Sequence, residues 1–481
     1  IGTGGFTFDS STQLTVTTGN IYFEGGQVTD NNGNAGTARN ITFAGNITAG
    51  ANKIAIGEAS NDNVVFTMNN GAVINQTGGS FFVGSTGDTT NTGGSFSGTL
   101  TMNSGSSLTT TGYVVMGGES NVSNAIPSAT FNMNGGTFAV NGNYTILGGV
   151  GNFTGTQTGG TILLSRPGNM ALFIGQDASL GGSATWNQSA GTFVVNGNTV
   201  VGGRNGGVGT VNISGTANAQ FLQGLILGLQ DYAQGTFNQT GGTVSIGTGS
   251  NIADTNYLIT GANTIDLVLA YNQTNANGNP SITKGTYNLS GGTLQVNGIT
   301  TGQGNGYVGG SNAAPSTYTS GSGAFTTTSG GTANFNWSGG ATLRPFDNEL
   351  TIGNAVTVTL GTGGGTVNTN DKDGIARQVT FDVPIGSSSG ATSAGLTVAG
   401  SGVALLTQAV TYTGDTSVTS GTLKAGVANV LPSGTGYGNL VLDGGSSAAG
   451  RFDMNGFAQA VNGVNGVTGA VLGTITNNGA S

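Results

Sequence analysis

One short phrase recurs along this chain: an aromatic or aliphatic residue, Asn or Thr, one further residue, a small polar residue, then a glycine turn into another short strand. It reads Phe131-Asn132-Met133-Asn134-Gly135-Gly136-Thr137-Phe138, Phe237-Asn238-Gln239-Thr240-Gly241-Gly242-Thr243-Val244, Tyr287-Asn288-Leu289-Ser290-Gly291-Gly292-Thr293-Leu294 and Phe335-Asn336-Trp337-Ser338-Gly339-Gly340-Ala341. Looser copies stand at Phe66, Leu100, Trp186 and Val211. Self-similarity at a fixed period is the signature of a solenoid, in which each unit buries its apolar face only against its neighbours.

A second phrase is a three-residue apolar strand closed by glycine, as in Ile54-Ala55-Ile56-Gly57, Phe81-Phe82-Val83-Gly84, Val114-Val115-Met116-Gly117 and, further on, Leu225-Ile226-Leu227-Gly228 and Leu350-Thr351-Ile352-Gly353. From Gly57 to Gly228 these glycines fall 26–33 residues apart, an interval that suits one coil. Residues 129–149 show the coil most plainly, with strands Ala129 to Met133, Thr137 to Val140 and Tyr144 to Leu147. Period-two alternation points Phe131, Met133, Phe138 and Val140 into one interior, with Asn132 and Ala139 turned away. Asn-Gly and Gly-Gly also suit two-residue hairpins, so an antiparallel meander is the rival; like residues recurring at one-coil intervals favour stacking instead.

The expected fold is therefore all-β, a right-handed parallel β-solenoid (β-helix) with three short strands per coil, the hand taken from the usual crossover rule. About sixteen to nineteen coils rising ~4.8 Å each give a rod on the order of 80–90 Å. Irregular loops are expected near 250–330, notably Thr255 to Leu269 and Gly302 to Gly331. A composition shift near residue 365 divides the chain into a repetitive solenoid over 1–365 and a continuation over 366–481.

Composition narrows the chemistry. The chain has no Cys and no His, which removes disulfides, thiolate metal sites, thiol nucleophiles and imidazole bases. Its 94 glycines and 6% charged residues fit a linear structural protein better than an enzyme of 481 residues. The net charge of −9 is spread singly, with no basic cluster to neutralise phosphates, so nucleic acid is excluded as a partner. No apolar run approaches the ~20 residues of a membrane helix, and residues 1–15 lack a signal-peptide pattern, so the chain reads as a mature or excerpted segment. No cofactor and no metal are expected.

Candidate sites are few. Asp371-Lys372-Asp373-Gly374 opens like a calcium loop but lacks the distal acid, and is read as an exposed turn. Asp347 with Glu349, and Asp371 with Asp373, have the spacing of two carboxyls on one strand face, although Asp347 follows Pro345 in a turn and no catalytic residue is assigned. Of the aromatic residues able to stack on a sugar, Trp186 and Trp337 fall in the inward column, leaving Tyr232 and, above all, Tyr257 and Tyr271. Thr109-Thr110-Thr111 suggests a flat ice-binding face, but Thr-x-Thr stretches show no recurrence in phase with the coils at this level.

The C-terminal stretch carries a resemblance. Residues 403–423, from Val403-Ala404-Leu405-Leu406 through Tyr412-Thr413-Gly414-Asp415-Thr416 to Gly421-Thr422-Leu423, with Leu431-Pro432-Ser433-Gly434 and Gly450-Arg451-Phe452-Asp453-Met454-Asn455-Gly456 after them, resemble the autotransporter-associated β-strand repeat. The resemblance covers roughly residues 400–480. It implies a bacterial surface or secreted protein built as a parallel β-helix, and no reaction; the chain shows neither the membrane-barrel translocator nor the sorting tail of the full family pattern. The expected role is a non-catalytic extracellular structural protein, a fibre subunit joining copies of itself end to end through strands such as Phe6-Thr7-Phe8 and Thr474-Ile475-Thr476. A monomeric adhesin stalk binding a surface glycan or host protein is the alternative, and a polysaccharide-active enzyme the third reading.

Overall fold

The structure is a computed structural model and describes residues 6–17, 19–23, 39–50, 53–58, 63–85, 97–118, 126–177, 182–229, 232–247, 252–254, 259–261, 267–273, 283–304, 331–353, 356–443, 449–466 and 473–479. Among them there is no helix; 41 strands form one parallel sheet, and a separate antiparallel hairpin joins Ile252–Asp254 to Ile259–Gly261. The chain is a parallel β-solenoid with three strands per coil. The coil expected over 129–149 is Ser128–Met133, Thr137–Asn141 and Thr145–Leu147, each strand paired in register with its counterparts one coil before and after.

Three faces result. The first runs from Phe6–Phe8 to Ile385–Ser387, the second from Gln13–Val16 to Val464–Gly466, and the third from Ile21–Phe23 to Thr474–Thr476. The second and third are sixteen strands deep, so their fifteen steps of ~4.8 Å span roughly 70 Å. No interruption marks residue 365: Gly365–Asn368 pairs with Ala341–Arg344 below and Leu396–Ala399 above. The change there is in the coil itself, since the first face has no strand after Ser387 among the described residues.

The repeated aromatic word maps onto a single inward column. Phe66, Leu100, Phe131, Gly155, Trp186, Val211, Phe237, Tyr287 and Phe335 are successive partners on the first face. The one gap, Gly155, is filled by its neighbour. A Cβ built on Gly155 would lie 2.2 Å from Trp186 Cε3, and the Trp186 ring reaches across that space to Phe131, with centroids 6.1 Å apart. Phe237 and Tyr287 stack at 4.8 Å with ring planes 8° apart, an offset arrangement that a one-coil rise permits.

The expectation of one apolar interior needs correction. On the third face the middle residues Ala55, Phe82, Val115, Ile146, Phe173, Val200, Ile226 and Val268 point outward, yet all are buried. Together with Met170, Leu229 and Tyr271 they form a second apolar cluster outside the lumen. Tyr113 and Tyr144, stacked at 5.3 Å, pack on it, and Lys53 lies over the rings of Tyr22 and Phe82 at 5.0 and 5.6 Å. A run without polar alternation is what a strand buried on both sides requires, which is why these strands read apolar throughout. In the later coils Val268 is followed by Thr300, and Thr351 and Thr380 stand over Gly298, the outward position before it.

Corners are closed by glycine where the backbone turns left-handed. The second Gly of the Gly-Gly pair takes that conformation, with φ 77° at Gly136, as the tight corner demands. Buried glutamines brace the turn between the first two faces. Gln239 Nε2 donates to Thr293 O at 2.9 Å and to Gly242 O, and Gln157 and Gln188 make equivalent pairs of bonds to corner and next-coil carbonyls. Tyr287 Oη donates to Gln239 Oε1 at 2.6 Å, and burial pushes the Tyr287 hydroxyl well above the usual tyrosine range, so it stays a neutral donor. Tyr287→Phe leaves that amide oxygen buried without its donor and should lower stability by about 1–3 kcal/mol in equilibrium denaturation.

Candidate functional site

The described residues hold no group of three or more Asp, Glu, His or Cys placed to bind a metal. Asp371, read above as part of an exposed turn, is itself fully buried. Its Oδ1 accepts from the N–H groups of Asp373 and Ile375, both at 2.9 Å, and its Oδ2 pairs with Arg377 Nε at 2.8 Å. Burial works to raise its pKa, but the Arg377 bond and the two amides outweigh it and hold the carboxyl below the usual range. Both oxygens are thus committed to the fold, while Asp373 points to solvent beside Lys372. The carboxylate is a turn lock, and its use within the fold explains the calcium-like spacing without an ion.

Asp347 and Glu349 do not share a strand face, because residues 346–349 form a turn before the strand Leu350–Ile352. Asn297 organises that turn: its Oδ1 accepts from the backbone of Phe346, Asp347 and Asn348 at 3.1 Å, and its Nδ2 donates to Asp347 Oδ1 at 2.8 Å. Of the aromatic candidates, Trp186 and Trp337 are buried as expected. Tyr271 is also buried, 2% exposed within the cluster outside the third face, so it offers no ring to a sugar and that expectation is overturned. Tyr232 is 56% exposed and Tyr257 lies outside the described residues, as does most of the 302–331 stretch.

The most ordered surface is the outer side of the first face, and sequence reading missed it. Thr99, Thr130, Thr154, Thr185, Thr210, Thr236 and Thr286 are consecutive register partners in one outward column. Two residues along each strand lies a second column, Thr101, Asn132, Thr156, Asn187, Asn212, Asn238, Asn288 and Asn336. Threonines do recur in phase, therefore, and the second face carries a column as well, through Thr137, Thr161, Thr192, Asn218, Thr243, Thr293, Thr342, Thr366 and Thr397; among the described residues the first face alone sets its threonines beside a column of bonded asparagines. The register over these strands is one to one, with shifts only beyond Gln239 at the corner.

In the second column the side chains hold one another. Asn212 Nδ2 donates to Asn187 Oδ1 at 2.7 Å, Asn238 to Asn212 at 2.8 Å, Asn288 to Asn238 at 2.7 Å and Asn336 to Asn288 at 2.8 Å. Each amide spends one of its two N–H groups and one carbonyl lone pair on the ladder, so further hydrogen-bonding capacity remains. Neither column contains a charged or aromatic side chain from Thr99 to Asn336. The result is a rigid, neutral lattice of hydroxyl, methyl and amide groups, repeating at ~4.8 Å along the rod and at roughly 6.6–6.8 Å across it.

The terminal coils present the other chemically distinct feature. Gln13–Val16 and Ile21–Phe23 pair only with the coil above, and Val464–Gly466 and Thr474–Thr476 only with the coil below, among the described residues. Leu14, Tyr22, Val464 and Ile475 are 40%, 46%, 52% and 45% exposed there. No family model matches the chain, and no curated protein or solved structure matches it either.

Proposed function

We propose that this chain is a non-catalytic structural rod of the bacterial cell surface or extracellular space, extended end to end by strand pairing at its terminal coils. The observation that carries the reading is the continuous parallel stack, whose first and last described coils pair on one side only among the described residues and carry exposed Leu14, Tyr22, Val464 and Ile475. An unpaired row of N–H and C=O groups beside exposed apolar side chains is a template for an added strand. A lumen packed with side chains and ion pairs committed to turns suit a scaffold, and the likeness of residues 403–423 to a surface-protein repeat supports the location.

Proline at the open edge tests it. Thr474 N–H donates down to Gly450 O at 3.0 Å and Thr476 O accepts from Met454 N–H at 2.8 Å, so alternation leaves the Ile475 N–H on the open side. Ile475→Pro removes an outward donor and no existing ladder bond. Electron microscopy of the wild-type chain should show filaments many times longer than one rod, and Ile475→Pro should reduce them to single rods of unchanged circular dichroism. Wild-type chains that stay single rods at high concentration would sink the proposal.

A further inference from the structure

We infer that the Thr and Asn columns of the first face form a binding surface for crystalline water. Its two columns hold no charge with which to select an ion or a nucleic acid and no aromatic ring on which a sugar could stack, and Lys284 stands at their edge, two residues from Thr286. What the surface offers instead is repetition. One threonine hydroxyl makes a weak contact in water, but groups fixed on a rigid body bind together when the ligand repeats with their spacing, and only a periodic ligand does so. The two spacings of the array lie close to oxygen repeats on the prism faces of hexagonal ice, where a hydroxyl takes a lattice position and the threonine methyl sits between neighbouring ones.

Preorganisation strengthens the inference. The Asn187–Asn212–Asn238–Asn288–Asn336 ladder, with its 2.7–2.8 Å bonds, holds the amides in one orientation, so little side-chain freedom is lost when the face meets a lattice. The unbroken one-to-one register keeps the threonine column straight over the same coils. This surface is the side wall of the rod, whereas assembly uses its ends, so either proposal can fail without the other.

The test is partition of the purified chain into slowly growing ice, with crystal habit and thermal hysteresis observed in parallel. The wild-type chain should be enriched in the ice and facet the crystals. Thr210→Tyr with Thr236→Tyr, in the middle of the column, should lower enrichment at least tenfold, while Leu405→Tyr, in an outward position of the third face, should leave it unchanged. If the tyrosine pair does not fold by circular dichroism, Thr236→Lys serves in its place. A wild-type chain excluded from ice overturns the inference, whether it is instead captured on crystalline chitin or cellulose, pairs laterally with a second copy, or does neither. Equal enrichment of the wild type, the first-face variant and the third-face control overturns it as well.

Discussion

Trp186→Ala should destabilise the middle of the rod by about 3–5 kcal/mol, the range for emptying a fully buried tryptophan site. The indole N–H has no hydrogen-bond partner among the described residues, so packing alone holds the ring. That packing reaches beyond its own coil: the ring covers Gly155, approaches Phe131 and stacks on Phe193 at 5.3 Å. The cavity left by alanine would therefore open two coils. Gly155→Phe alone should also destabilise, because the first atom of its side chain meets the indole. Combined with Trp186→Val it restores a large residue at 155 and a small one at 186, and should recover more than half of the tryptophan loss. Coils in a solenoid unfold in quasi-independent neighbourhoods, so amide exchange around residues 128–195 is the appropriate readout beside denaturant midpoints. A double variant no better than the sum of the single ones would show that the two sites do not share one space.

Gly84→Ala should cost about 2–5 kcal/mol, far more than a methyl group on a surface turn. Two terms contribute. Gly84 has φ 51°, where a side chain adds about 1–2 kcal/mol of steric strain. An added Cβ would also sit 1.8 Å from Ser128 O and 2.8 Å from Gly98 N, forcing the corner away from the next coil, an overpacking term of about 1–3 kcal/mol. Ala270 separates the two effects, since it occupies the corresponding corner one strand above Gly228, with φ 57°, and is fully buried. The conformation is thus tolerable with a methyl group; contact with the neighbouring carbonyl makes Gly84 hard to replace. Thermal unfolding of Gly84→Ala beside Gly71→Ala, a left-handed glycine whose Cβ would meet nothing within 4 Å, measures the steric part.

The inward aromatic column could be read from the sequence because each copy carries its own marker, the Gly-Gly corner following Phe131, Phe237, Tyr287 and Phe335 at a constant distance. The outward columns lack such a marker. Their partners are separated by anything from 24 to 50 residues, as in Thr156 with Asn132 and Asn288 with Asn238, because excursions of different length intervene between equal strands. Phase along the chain is lost even though phase in space is kept. The covered outer side of the third face did leave a signal, the absence of alternation in Phe81-Phe82-Val83 and Leu225-Ile226-Leu227, but three residues are too few for periodicity to distinguish one buried side from two. Tyr271 escapes sequence reading because its strand, Leu267–Gln273, lies in a stretch that carries neither repeated phrase, and Asp371 because spacing reports which acids are near each other and not which amides and guanidinium have already claimed them.

The asparagine ladder also gives the rod an electrical direction. In every one of its links the donor is the later residue and the acceptor the earlier one, from Asn336 down to Asn187, and the corner pairs Asn134 to Asn103 and Asn103 to Asn69 point the same way. Aligned amide dipoles add instead of cancelling, as they do along an α-helix. The ladder's two ends, at Asn187 and Asn336, are consequently unlike in polarity, so the side wall of the rod has a direction as well as a period.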